Sequence, residues 1–152
     1  MLYFDTSFLA PLILEESTSA KIEAFFAKLP VGELYVSHWT RVEFSSLIAR
    51  EVRMGGFAEA DALLAIAQFD ELVTESFQIV APGVADYELA KAYIQHFATK
   101  LRAGDALHLA IAGNNGVKAF YTLDEGLLHA AKLMKVRASE GSRPEAVMWR
   151  YR

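Results

Sequence analysis

Short apolar runs of high strand propensity recur along this chain, and a stretch with the 3.6-residue period of an amphipathic helix follows each of them. That alternation constrains the fold more than any other feature. Residues 2–4, 34–37, 77–80 and 117–123 form four runs rich in aromatic and aliphatic side chains. A small fifth strand is read at 136–138. The spacing predicts a short helix over 6–14 that Pro11 interrupts. A second helix, capped by Ser17, Thr18 or Ser19, carries Ile22, Phe25, Phe26 and Leu29 and stops at Pro30-Val31-Gly32. A third runs over 39–54, with Phe44, Leu47, Ile48 and Val52 on one stripe and Gly55-Gly56 at its end. Residues 58–75 read as a helix that is apolar on more than one face (Leu63, Leu64, Ile66, Phe69, Leu72, Val73), which implies deep burial or a partner interface. Further helices are read after Pro82-Gly83 to about residue 98, with Leu89, Ala90, Tyr93 and Phe97 inward, and over 104–112 and 124–134. Strands alternating with helices build a parallel sheet covered on both faces. The expectation is therefore an α/β fold, low in strand and rich in helix.

Size and composition bound the rest. At 152 residues, with no repeat, low-complexity tract or linker, the chain reads as one domain over 1–152. Hydrophobic residues at 53% against 22% charged exclude a disordered chain. The absence of cysteine excludes disulfides, thiolate metal sites and Cys nucleophiles, and fits a reducing cytoplasm. No secretory signal opens the chain, and no run approaches the roughly 18 apolar residues that span a membrane, so a cytoplasmic protein without membrane contact is expected. A net charge of −4 argues against nucleic-acid binding through a broad basic surface. It leaves room for an enzyme that meets phosphates through bound cations. Residues 139–152 carry no assignable element.

Four acids stand where such a cation would bind. Asp5 follows the first strand, Glu43 lies in the first turns of the helix after the second, Asp105 opens a helix rich in Ala and Leu, and Asp124 ends the fourth strand. Strand carboxyl ends and the helix starts beside them share one edge of a doubly wound sheet, where such folds bind ligands. Gathered carboxylates without basic partners repel one another and need protons or cations. Hard oxygen ligands select Mg²⁺ or Mn²⁺, which suits phosphodiester hydrolysis. Thr6, Ser7 and Thr122 are candidates to orient the carboxylates or waters. The competing reading is structural: an Asp between strand and helix is often only an N-cap, and Asp105 and Asp124 taken alone divide evenly between the two. Glu43 alone suits a helix dipole. The Thr6 and Ser7 hydroxyls beside Asp5 could cap in its place, which favours a functional reading there.

Other residues carry weaker signals. His108 reads as a packed or hydrogen-bonded structural histidine, and His38, His96 and His129 lack zinc spacing. Arg41, Arg50, Lys100 and Arg102 could steer phosphate or be plain solvated surface. Phe25, Phe26 and Tyr93 fit core or interface packing better than base stacking. No glycine-rich phosphate loop is present.

Asp5-Thr6-Ser7, Glu43 within Arg41-Val42-Glu43-Phe44, the run Arg102-Ala103-Gly104-Asp105-Ala106-Leu107-His108 and Thr122-Leu123-Asp124 resemble the four acidic motifs of PIN-domain ribonucleases, in order and at similar separations. The nearest likeness is to VapC-type toxins of bacterial toxin–antitoxin pairs, and it runs from Tyr3 to about Val136. The resemblance implies a three-layer α/β/α sandwich with a small parallel sheet. It implies an Mg²⁺- or Mn²⁺-dependent endoribonuclease, the toxin of a type II toxin–antitoxin system, with Asp5, Glu43, Asp105 and Asp124 as metal-binding and catalytic acids. It also implies RNA as substrate, a cognate antitoxin whose tail blocks the acidic groove, and a homodimer contacting through helices near 21–28 and 58–75. A catalytically inactive PIN-like module that binds RNA or a partner is the alternative. A phosphoryl-accepting receiver or phosphatase ranks lower, because the Asp-x-Asp pattern of such phosphatases fails at Ser7.

Overall fold

The computed structural model describes residues 1–141 of the chain. The unassigned stretch from 142 onward lies outside the described residues. Five strands form one parallel sheet: β1 (Leu2–Phe4), β2 (Leu34–Ser37), β3 (Gln78–Val80), β4 (Ala119–Tyr121) and β5 (Ala138–Ser139). They lie in the order β3-β2-β1-β4-β5. The chain builds outward from β1 to β2 and β3, then crosses back to add β4 and β5 on the other side. The direction of winding therefore reverses between β1 and β4, and the crevice beyond their carboxyl ends is the place where such sheets hold ligands.

Side chains alternate across the sheet with a period of two. Leu2, Phe4, Ala119 and Tyr121 face one core, where they meet α1 (Thr6–Leu9), α2 (Ser19–Phe26), α3 (His38–Arg53) and α4 (Glu59–Ser76). Tyr3 and Phe120 face the other, against α5 (Val84–Gln95), α6 (Ala103–Asn114) and α7 (Glu125–Leu133). The result is the three-layer α/β/α sandwich. The first core is aromatic: Phe4 stacks on Tyr121 with ring centroids 5.0 Å apart, and Phe44 of α3 stacks on Phe69 of α4 at 4.0 Å. Burying each such ring contributes roughly 1.5–3 kcal/mol, and Phe4→Ala would cost about 3–5 kcal/mol.

Local signals set most boundaries. Pro11 ends α1 and sits at the start of a 3-10 turn over Ala10–Leu12, because its ring fixes φ without an N–H to lose. Ser37 caps α3, accepting a hydrogen bond from the Thr40 amide while the Thr40 hydroxyl accepts one from the Ser37 amide. Phe97 does not face inward but is 84% exposed: α5 stops at Gln95, and a 3-10 turn over Phe97–Thr99 ends at Lys100 in the left-handed region with φ 55°. The apolar residues of α4 divide, with Phe69 and Val73 buried while Leu63 and Leu64 are exposed at 68% and 58%. No helix among the described residues is long and apolar enough to cross a membrane.

Candidate active site

The reversal between β1 and β4 brings the four acids to one groove. Asp5, Thr6, Ser7, Glu43, Leu47, Arg50, Asp105 and Asp124 line a cleft of about 420 Å³. Asp5 arrives at the end of the central strand β1, Asp124 just after its neighbour β4, Glu43 from the second turn of α3 and Asp105 from the first turn of α6. Capping and groove lining turn out to be compatible. Asp5 caps α1 through its Oδ1, which accepts from the Phe8 amide at 3.1 Å, and Asp124 caps α7 by accepting from Leu127 at 2.9 Å. Asp105 is not a cap, because Arg102 holds that position in α6 without a side-chain bond.

The hydroxyls flanking the acids hold them in place. Ser7 donates to Asp5 Oδ1 at 2.7 Å and Thr122 donates to Asp5 Oδ2 at 2.6 Å, so both oxygens of this nearly buried carboxylate are engaged. Thr122 in turn accepts from the Asp124 amide at 3.1 Å, and Ser7 accepts from the Leu123 amide at 3.0 Å. The residues following β1 and β4 are thereby stitched together. Thr6 reaches the other way, donating to Glu43 Oε1 at 2.7 Å. Three hydroxyl residues named from sequence thus hold two of the four acids.

His108 has a larger part than the sequence suggested. It is buried, as a structural histidine should be, but its Nε2 makes a short contact with Glu43 Oε1 and its Nδ1 meets the Tyr3 hydroxyl at 2.7 Å. Tyr3 donates onward to Ser37 at 2.9 Å, linking the groove to the cap of α3. Its position three residues after Asp105, on the same helical face, was the available signal. Gly104 completes the seat: a Cβ there would meet Glu43 Oε2 at 2.9 Å and the Trp39 ring at 3.2 Å. Trp39 also donates from its indole to the Gly104 carbonyl at 3.2 Å, joining α3 to α6 behind the acids.

The electrostatics differ from acid to acid. Burial raises the Asp5 carboxyl above its usual range, against the opposing pull of His108 and the hydroxyl and amide donors. Burial also pushes Glu43 upward, but His108, Thr6 and Trp39 outweigh it and hold the group below its usual range. Asp105 rises to about 6, from burial first and then from the charges of Asp124, Glu43 and Asp5. No described residue donates a hydrogen bond to its side chain. Neighbouring carboxylates that repel one another raise a pKa in this way. The donor set is all hard oxygen, which fits Mg²⁺ or Mn²⁺. Among the described residues no three His, Cys, Asp or Glu side chains gather tightly enough to hold an ion by themselves. An open set completed by water and phosphate oxygens is how Mg²⁺ is commonly held.

Comparison with known proteins agrees with this architecture. A model of the PIN domain family matches residues 2–133. No curated protein matches the chain. Among solved structures, the chain is similar to VapC20 of Mycobacterium tuberculosis, described as a sarcin–ricin-loop-cleaving toxin, with 20% identity and a TM-score of 0.68 over 86% of this chain and 95% of that one. It is similar to FitAcB of Neisseria gonorrhoeae, with 17% identity and a TM-score of 0.69 over 93% and 98% of the two chains. VapBC-1 of nontypeable Haemophilus influenzae gives 15% identity and a TM-score of 0.67 over 94% and 100%. At these identities the likeness shows the fold.

Proposed function

The chain belongs to the PIN-domain family, and on that premise we propose that it is an Mg²⁺- or Mn²⁺-dependent endoribonuclease, the toxin of a type II toxin–antitoxin pair. The observation that carries this reading is the single groove lined by Asp5, Glu43, Asp105 and Asp124, in which Asp105 is driven to about 6 by burial and its acidic neighbours. A pure binding surface has no use for such repulsion.

In this reading Asp5 and Asp105 are the principal metal ligands, Asp124 completes the site directly or through water, and Glu43 ligates or positions a water. A cation held by these residues would lower the pKa of a water and offset charge building on the phosphoryl group. The chain's own contribution is orientation. Ser7 and Thr122 fix both oxygens of Asp5, and Thr6 and His108 fix one oxygen of Glu43, leaving its Oε2 beside Gly104 free of those two bonds. Nucleophile and phosphate would thus meet at atoms already held in place, which removes reorganisation from the barrier.

The partner reading extends from the neighbours. Similar solved structures include VapBC-1 and also FitAB, the latter bound to a DNA fragment, and an antitoxin tail carrying a basic side chain would complement this acidic groove. Leu63 and Leu64, exposed on α4, support a partner surface on that helix for an antitoxin or a second copy of the chain. Phe25 and Phe26 of α2 pack into the aromatic core instead, against Phe8 and Phe4.

Purified full-length chain should cleave single-stranded RNA on adding Mn²⁺ and stop on adding a chelator, and Asp105→Asn should lose the activity. Cleavage that survives the chelator, or full activity in Asp105→Asn, would overturn the assignment. Binding of RNA with no cleavage at any Mn²⁺ concentration would favour the inactive module.

A further inference from the structure

Of the basic residues that the sequence offered as phosphate guides, one lies in the groove. Arg50 follows Glu43 by seven residues on α3, with Leu47 between them at the i+4 position, and all three line the acidic cleft. Two turns of helix bring them to one face, with Arg50 about 10 Å along the axis from Glu43. Arg41, by contrast, points elsewhere and is held by Asp70 at 3.4 Å.

Arg50 is exposed, and no ion pair within 4 Å among the described residues includes it, although four carboxylates line the same cleft. A guanidinium set among acids yet paired with none has its donors available. Its planar fork matches two oxygens of a phosphodiester, a geometry no ammonium reproduces. An RNA strand crossing the cleft also needs positive charge beyond the scissile position, because the chain as a whole carries −4.

Resting on the ribonuclease reading, we propose that Arg50 is a phosphate-binding residue for the RNA substrate, gripping a phosphate that flanks the one held over the carboxylates. It sets the register of the strand in the groove, and its contribution is to substrate affinity.

Fluorescence anisotropy of a short fluorescein-labelled single-stranded RNA tests this, using the full chain in an Asp105→Asn background and a series of sodium chloride concentrations. Arg50→Ala should weaken binding by about 5- to 10-fold and reduce the slope of log affinity against log salt by about 0.7, the share of one phosphate contact on a single strand. Arg50→Lys should keep most of the slope and recover only part of the affinity. Arg53→Ala makes the same charge change on the same helix outside the groove lining and should alter binding less than about twofold. A neutral methylphosphonate walked along the RNA should weaken Arg50 protein at one flanking position and leave Arg50→Ala unaffected there. Unchanged affinity and slope in Arg50→Ala, or an equal loss in Arg53→Ala, would overturn the assignment while leaving intact a ribonuclease that cleaves with Mn²⁺. A native chain that neither binds nor cleaves this RNA would remove both readings together.

Discussion

Asp5 lies almost wholly buried, with Ser7, Thr122 and the Phe8 amide donating to its two oxygens. Asp105, in the same groove, is half-buried and its carboxylate accepts no hydrogen bond from any described residue. Both carboxyls sit above their ordinary range and burial leads in each, but the next influences oppose each other: His108 and the donors pull Asp5 down, while Asp124, Glu43 and Asp5 push Asp105 up to about 6. The difference teaches a division of labour within one site. Asp5 is part of the fold, capping α1 and joining the ends of β1 and β4, and its role in the groove is built on that. Asp105 contributes little to holding the fold together, and on the proposed reading its carboxylate is left open to take a cation.

The comparison breaks most visibly under substitution. Asp5→Ala removes the cap of α1 and strands two hydroxyls, and should lower stability by about 2–3 kcal/mol along with activity. Asp105→Asn should lose on the order of 100-fold or more in RNA cleavage, yet melt no lower than the native chain at neutral pH. Denaturant midpoints set beside cleavage rates check both. Equal loss of stability in the two variants would erase the distinction.

Proton linkage gives a second measure. The folded-state carboxyl of Asp105 binds its proton more tightly than in the unfolded chain, so between pH 3.8 and about 6 the folded form holds more protons. Stability from this group is therefore greatest at low pH and falls as pH rises through that window, by roughly 1 kcal/mol once solvent screening is allowed for. Mn²⁺ should reverse the sign at neutral pH: tenfold excess over its dissociation constant adds about 1.4 kcal/mol. Its apparent affinity should fall up to about tenfold for each pH unit below about 6, as the ligand reprotonates. Melting curves across pH with and without Mn²⁺ report both signs, and Asp105→Asn should flatten them.

The smallest effect sharpens the Asp5 half. Thr122→Val keeps the shape but removes the donor to Asp5 and the acceptor for the Asp124 amide, costing about 1–2 kcal/mol. Cleavage should fall about tenfold with Mn²⁺ affinity weakened, readable by titrating Mn²⁺ in the cleavage assay. An Mn²⁺ titration identical to that of the native chain would show that Ser7 and the Phe8 amide hold Asp5 without help from Thr122.

Much of the fold was legible because it is local. Leu34–Ser37 has the bounds read from sequence, α3 buries Phe44 and Ile48 of its predicted stripe, and Pro11 breaks the first helix where its ring requires. Boundaries drifted where burial outran pairing. The fourth strand was read at 117–123 from its apolar run, but only Ala119–Tyr121 pair with β1, and Phe77 belongs to the end of α4 rather than to β3. For Leu63 and Leu64 the sequence left deep burial and a partner interface both open, because hydrophobicity does not say whether a helix face meets its own core or the surface.

What the sequence by itself determined was the alternation of strand and helix, the acids at the junctions, and the hydroxyls beside them. Only the tertiary structure decided which of these meet. Thr122 reaches Asp5 across 117 residues, His108 reaches Glu43 across 65, and Arg50 rather than Arg41 lies in the groove. The first of these follows from the sheet order β3-β2-β1-β4-β5, which places the ends of β1 and β4 side by side. Periodicity is written within a few residues of each position, whereas a contact between distant positions exists only once the whole sheet has closed.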